Sequence, residues 1–210
     1  MKTIVLATNN KSKVYEFNSI LSANGYGNFK VLSLKDCGFE GDILEDADTF
    51  EGNAYKKAKA VADFTGLAAV ADDSGLEVDA LNGAPGVYSA RYAGEGAGAD
   101  MLIAKLLTEL KGVKEADRTA HFTTVMCAVL PNGKTLCERG ECHGVILNEP
   151  IGTEGFGYDP VFYYPPLNKT FAQIETAEKN KVSHRAIAFN KLIKALGEVE
   201  EKDFLPAKKD

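Results

Sequence analysis

The spacing of apolar positions changes several times along the chain, and each change marks an element. Ile4, Val5 and Leu6 are consecutive and apolar, so residues 2–7 predict a buried strand, which Thr8-Asn9-Asn10 breaks. Val14, Phe17, Ile20 and Leu21 then recur at helical spacing up to Gly25. Residues 29–33 predict a second strand, and residues 34–48 are acidic and irregular. Thr49 is placed to cap a helix over 50–65, with Ala54, Ala58, Val61 and Ala62 on one face and Gly66 as its stop. Leu67 to Ala71 predicts a strand running into a polar turn, Asp72-Asp73-Ser74-Gly75, with a short strand over 76–81 after it.

Residues 82–98 are rich in Gly and Ala and read as a loop. A helix over 99–111 follows, with Leu102, Ile103, Leu106, Leu107 and Leu110 apolar. Two β-rich stretches, 120–130 and 134–147, flank Pro131-Asn132-Gly133, a hairpin signal. Phe156-Gly157-Tyr158-Asp159-Pro160 is a turn leading into Val161-Phe162-Tyr163. Ser183 can cap a last helix carrying Ile187, Leu192, Ile193 and Leu196, and Gly197 should end it. Residues 1–197 then form one domain, and 198–210 are a charged tail expected to fray. Alternating strands and helices followed by a late hairpin predict an α/β fold with a mixed sheet.

Composition narrows the function. Hydrophobic residues at 45% and charged residues at 26% are the balance of an ordinary globular domain. No apolar run approaches a membrane span, and the first apolar stretch is too short for a secretory signal. The net charge of −6, without a Lys/Arg cluster, argues against a nucleic-acid partner. A small phosphorylated ligand needs only a few lysines and a metal. The four cysteines form no C-x-x-C pair and lack zinc spacing, which predicts reduced thiols in a cytoplasmic protein.

The P-loop, G-x-G-x-x-G, H-E-x-x-H and G-x-S-x-G motifs are all missing. Asp46-Ala47-Asp48-Thr49 imitates an aspartyl-phosphate motif, but no good strand precedes it. Thr8 to Lys13 joins a strand to a helix start, where backbone N–H groups favour an anion, although taken alone an ordinary capped helix is the better reading. Lys57 lies one helical turn after Asn53, within reach of a phosphate or simply solvated. Asp72 and Asp73 sit at the end of a buried strand and need compensation there, by magnesium or by a general-base role. Phe156 can stack on a base, and Asp159, His184 and Arg185 can read its polar edge.

Together and in this order, these segments resemble the inosine/xanthosine triphosphate pyrophosphatase family (dITP/XTP pyrophosphatases). The matching stretches are Thr8-x-Asn10-x-x-Lys13, Thr49-Phe50-x-x-Asn53-Ala54-x-x-Lys57-Ala58, Ala71 to Leu76, Gly83 to Tyr92, Gly155 to Pro160, and Lys179 with Ser183-His184-Arg185. The resemblance implies two lobes around a long mixed sheet, with flanking helices and a central active-site cleft. It implies a cytoplasmic homodimer that uses magnesium to hydrolyse ITP, dITP or XTP to the monophosphate and pyrophosphate.

Carried over by residue, Thr8, Asn10, Lys13 and Lys57 would hold phosphates and Ser74 would touch substrate. Glu45, Asp72 and Asp73 would bind the metal, and Asp73 would also activate water. Phe156 would stack on the base, within a pocket formed by Gly157, Tyr158, Asp159, Lys179, His184 and Arg185. Gly52 departs from the family, which often has Glu there; Asp46, Asp48 or Glu51 is the candidate substitute. The competing readings are a pyrophosphatase for other modified nucleotides and a nucleotide sensor without turnover. A sensor could dispense with the acidic group at Glu45, Asp72 and Asp73.

Overall fold

The computed structural model describes residues 1–8, 11–23, 25–41 and 43–205. Its elements, in chain order, are β1 (Lys2–Leu6), α1 (Lys11–Ala23), β2 (Phe29–Ser33), α2 (Phe50–Thr65), β3 (Ala68–Val78), α3 (Ala99–Glu109), β4 (Thr119–Val129), β5 (Thr135–Ile146), β6 (Phe162–Tyr164), β7 (Lys169–Thr170), α4 (Thr176–Val182) and α5 (His184–Glu198). The strands form one seven-stranded sheet in the order β2-β1-β3-β4-β5-β6-β7. β1 runs parallel to β2 and β3, whereas β6 runs antiparallel to β5 and β7. The fold is therefore α/β with a mixed sheet, as the alternating pattern predicts.

The chain divides into two compact units. Unit 1 holds residues 1–73, 125–139 and 188–210, and unit 2 holds 74–124 and 140–187. In unit 1, successive strand residues point to opposite faces and build two separate cores. Ile4, Leu6, Ala68, Val70, Met126 and Ala128 pack with Phe17 and Leu21 of α1 and with Phe189, Leu192 and Leu196 of α5. The alternate positions Val5, Ala69, Ala71 and Val129 pack with Ala58, Val61 and Ala62 of α2. The small residues of β3 match the alanine face of α2. In unit 2, α3 lays Leu102, Leu106 and Leu110 against Leu76, Val78, Phe122, Phe162 and Phe171.

Local signals explain the element ends. Thr49 caps α2 by accepting from Gly52 N–H at 3.0 Å, and Gly66 closes the helix in a left-handed conformation at φ 66°. Ser183 Oγ accepts from Ala186 N–H at the start of α5. The Pro131-Asn132-Gly133 turn joins β4 to β5, with Leu130 N–H bonded to Lys134 O.

Several expectations are corrected. Asp72-Asp73-Ser74-Gly75 is not a turn but the middle of β3, which runs unbroken from Ala68 to Val78. The short strand expected over 76–81 is the end of that same strand, followed by a 3-10 turn over Asp79–Leu81. β3 lies between β1 and β4 in the sheet, and that placement outweighs the turn preference of Asp, Ser and Gly. The loop over 82–98 contains a 3-10 turn, Gly86–Arg91. Gly197 does not stop α5, which continues to Glu198; a Cβ at Gly197 would lie 2.6 Å from the Tyr26 ring, so glycine serves packing there. Residues 198–205 are not frayed: Glu201–Phe204 form a 3-10 turn, and Phe204 is buried in the α1–α5 core. Cys127 and Cys137 are not both reduced thiols. The hairpin sets them opposite each other, Cα atoms 4.2 Å apart, as a disulfide. Cys37 and Cys142 are free.

Neither α3 nor α5 carries a basic residue in its last turn. Each end is neutralised instead by a buried cation from elsewhere in its own unit. Arg118 donates to Leu110 O and Val113 O beyond α3. Lys2 donates to Leu196 O, Gly197 O and Val199 O at 3.2, 3.2 and 2.6 Å, between the rings of Phe29 and Phe204. Lys2→Met strips the donor from those carbonyls. It should lower the unfolding free energy by about 2–3 kcal/mol, read from the denaturant midpoint. A loss under about 0.5 kcal/mol would show that water satisfies these carbonyls as well as the lysine does.

Candidate active site

Strand alternation at β3 separates the two adjacent carboxylates. Even-numbered positions face α1, and Asp72 there accepts two hydrogen bonds from Lys13 Nζ at 2.8 and 2.7 Å. Lys13 stands in the first turn of α1, and half-buried Thr8 lies just past the end of β1. Asn10 lies outside the described residues.

Odd-numbered positions face α2. Asp73, 9% exposed, accepts from Asn53 Nδ2 at 3.0 Å through Oδ2. Lys57 Nζ is 3.8 Å from Asp73 Oδ1 and 3.1 Å from Glu45 Oε2. Asn53 and Lys57 share a helix face one turn apart, which is why both reach this strand position. Two lysines, Lys13 and Lys57, are thus held by carboxylates. The side chains offered as substitutes at Gly52 do something else: Asp46 pairs with Lys56, and Asp48 and Glu51 are exposed. Residues 45–48 form no strand, so the aspartyl-phosphate resemblance has no scaffold.

Unit 2 holds all the residues expected to form the base pocket: Phe156 to Asp159, Lys179, His184 and Arg185. Ser74 Oγ is 2.8 Å from the buried Thr124 Oγ1. The 155–160 turn depends on glycine at two places: Gly157 has φ 60°, and a Cβ on Gly155 would lie 2.1 Å from Asp159 Oδ2. Asp159 can therefore fold beneath the turn, accept from Phe156 N–H at 2.9 Å and pair with Lys179. Lys179 Nζ also lies 5.0 Å from the centroids of both Phe156 and Phe171. The Phe156 ring is 65% exposed, free to stack on a flat ligand.

Tyr158 is different. It is 3% exposed, its hydroxyl donates to Ser89 O at 3.0 Å, and burial raises its pKa above the ordinary phenol value. It braces the turn. Ser89 Oγ in turn accepts from Leu76 N–H at 2.8 Å and donates to Gly86 O, which ties the turn to β3. His184 stacks on Phe122 at 4.9 Å and 15°, and half-buried Arg185 follows it in the first turn of α5. Burial pushes the Cys142 thiol up to about 12, against the opposing pull of the nearby Lys179 charge.

Comparison with known proteins places the chain in a family. Residues 4–195 match the Ham1 family model. The chain belongs to the Ham1 family. It is 50% identical over 193 residues to the dITP/XTP pyrophosphatase of Desulforamulus reducens, covering 92% of this chain and 94% of that one. It is 47% identical over 196 residues to the dITP/XTP pyrophosphatase of Bacillus subtilis, covering 93% and 98%. Among solved structures it is similar to the Staphylococcus aureus Ham1 protein, with TM-score 0.86, 41% identity, and 93% and 98% coverage. It is also similar to a HAM1 protein from Coxiella burnetii, with TM-score 0.88, 41% identity, and 95% and 100% coverage.

Sequence reasoning left several supports of this Ham1 site without a role. Asn53 lies in one of the matching stretches, but its two hydrogen bonds are visible only in the fold. Nothing local marks Thr124, Phe122 or Phe171, and Ser89 lies in the matching stretch Gly83 to Tyr92 without a role of its own; each gains its place through long-range contacts. The buried Lys179–Asp159 pair supplies a check. Lys179→Met leaves a carboxylate that is 3% exposed without its cation. Stability should fall by about 3–5 kcal/mol in denaturant unfolding. Adding Asp159→Asn should restore part of the loss; no restoration would mean that packing, not charge, is what Lys179 supplies.

Proposed function

We propose that this chain hydrolyses inosine, deoxyinosine and xanthosine triphosphates to the monophosphate and pyrophosphate, and so clears deaminated purines from the nucleotide pool. The observation that carries this reading is the arrangement at two consecutive strand residues: Asp72 holds Lys13, and Asp73 stands beside Asn53 and Lys57. The relatives named dITP/XTP pyrophosphatase support it, at 50% and 47% identity over most of the chain.

A triphosphate repels anions and water is a poor nucleophile, so the site must supply positive charge and a proton acceptor. Lys13 and Lys57 place ammonium groups where charge grows on the leaving pyrophosphate, and their carboxylate partners orient them in advance. Thr8 and Asn10 add hydroxyl and amide contacts to the phosphates, and Ser74 contacts the substrate. The Asp73 carboxylate takes a proton as the water oxygen bonds to phosphorus and the bridge between the α and β phosphates breaks.

Glu45, Asp72 and Asp73 offer oxygen donors only. Among the described residues no three His, Cys, Asp or Glu side chains converge into a metal cage. Of Glu45, Asp72 and Asp73, Glu45 and Asp73 both stand beside Lys57, whereas Asp72 points to the α1 face. Two carboxylates fit magnesium, which binds through one or two of them together with substrate phosphates. When bound, the ion would neutralise phosphate charge and acidify a water.

For the base, Phe156 supplies a stacking face. Gly157, Asp159, Lys179, His184 and Arg185 shape and read its edge, and Tyr158 holds the turn that carries them. A donor such as Arg185 favours a 6-oxo group, and an adenine amine would leave that donor unpaired. The same reading makes the enzyme a cytoplasmic homodimer with no nucleic-acid or membrane partner. A net charge of −6 disfavours a polyanion, and no helix among the described residues is long and apolar enough to cross a membrane.

The test is pyrophosphate release across a panel of nucleoside triphosphates. With magnesium, inosine and xanthosine triphosphates should exceed adenosine triphosphate in kcat/KM by at least about tenfold, and a chelator should abolish turnover. Equal efficiency for inosine and adenosine triphosphates overturns the 6-oxo selection, and full turnover in chelator overturns the metal.

A further inference from the structure

One side chain joins the acidic segment before α2 to the carboxylate on β3. Asn53 is 1% exposed. Its Oδ1 accepts from Ala47 N–H at 2.9 Å, and its Nδ2 donates to Asp73 Oδ2 at 3.0 Å. An amide serves both needs because it carries an acceptor and a donor at opposite ends; a carboxylate or an aliphatic side chain cannot. Ala47 lies two residues from Glu45, so this amide fixes the approach of the segment that brings Glu45 to Lys57.

The close approach depends on the neighbouring position. Gly52 is the third residue of α2, where a Thr-capped helix commonly carries Glu or Gln reaching back to the cap. Gly52 supplies no such partner. A Cβ at that position would lie 2.7 Å from Ala47 Cβ and 3.0 Å from Thr49 Oγ1. The Ala47 Cβ is bonded directly to backbone and cannot swing aside, so the segment itself would have to move. Ordinary contact between carbons is about 3.5–4.0 Å, which implies a displacement of about 1 Å. Glycine inside a helix is less favourable than alanine, so the fold gives up local stability at this position.

We propose that Gly52 and Asn53 form a latch that positions Glu45 and Asp73 relative to each other, with Asn53 as the tie and Gly52 as the space that lets it close. Both are positioning residues, acting through the carboxylates and not on the substrate. The inference rests on the reading that Glu45 and Asp73 serve the hydrolysis. A side chain at position 52 lifts Ala47, stretches its bond to Asn53 and carries Glu45 away. Misplacement of about 1 Å in such a site costs about a hundredfold in rate.

The experiment compares Gly52→Ala with the double variant Gly52→Ala/Ala47→Gly, which removes the opposing Cβ. Three quantities are measured: steady-state kinetics, thermal midpoint and amide hydrogen exchange at residue 47. In Gly52→Ala, kcat should fall about ten- to a hundredfold with KM within about twofold. The thermal midpoint should fall by no more than a few degrees, because alanine's preference for the helix offsets part of the crowding. Exchange at the residue 47 amide should accelerate. In the double variant, kcat and protection should return. A simple stability role makes the opposite forecast, since a second glycine only loosens the segment.

Wild-type kcat in Gly52→Ala, or no recovery in the double variant, overturns the latch. If the wild-type chain releases no pyrophosphate from any triphosphate, the functional reading fails, and hydrogen exchange alone decides the latch. Protection lost in the single variant and regained in the double supports it; unchanged protection overturns it.

Discussion

The alternation of side chains along β3 is the constraint on which the rest depends. Eleven consecutive residues are held extended, so neighbours must point to opposite faces. Ala68 and Val70 take one core, and Ala69 and Ala71 take the other. The rule does not lapse when the sequence turns acidic. Asp72 continues the first face and meets Lys13 of α1, whereas Asp73 continues the second and meets Asn53 and Lys57 of α2. A one-residue slip in register would exchange the two carboxylates between helices and send the apolar residues of both faces to the wrong cores. The packing that stabilises unit 1 is thus the same constraint that gives two identical side chains different surroundings.

Buried or half-buried cations do two kinds of work here, and their partners tell them apart. Lys2 and Arg118 donate to backbone carbonyls at helix ends, where no ligand can replace the acceptor without opening the fold. Lys13, Lys57 and Lys179 are paired with carboxylate side chains. A side-chain carboxylate, unlike a helix-end carbonyl, can yield its place to another anion without opening the fold. The 155–160 turn is held just as firmly. The turn that exposes Phe156 is bound beneath by Asp159 and braced behind by Tyr158 and Ser89.

Much of this was legible in the sequence because periodicity and capping agreed with tertiary packing. β1, β2, α2 and the β4–β5 hairpin fall where apolar spacing, Thr49, Gly66 and Pro131-Asn132-Gly133 put them. The acidic stretch was misread because Asp, Ser and Gly favour turns locally, and only the partner strands reveal that the chain stays extended. Gly197 was misread because its smallness serves the Tyr26 ring and not a helix end. The buried Phe204 and the Cys127–Cys137 pair depend on elements distant in sequence or across a hairpin, which spacing does not encode. At the site, residue types and order pointed to phosphates and a purine. The division of labour between Asp72 and Asp73, and the tie through Asn53, needed the strand.

The most direct measurement is steady-state pyrophosphate release from inosine triphosphate by Asp72→Asn and Asp73→Asn side by side, each checked for folding. Opposite faces and unequal partners lead to unequal losses. Asp73→Asn should lower kcat by about a hundredfold or more, as loss of a proton acceptor does. Asp72→Asn, which frees Lys13, should raise KM and cost kcat clearly less. Near-normal kcat in a folded Asp73→Asn protein, or equal losses of kcat in both variants, would contradict the separation of roles that β3 imposes.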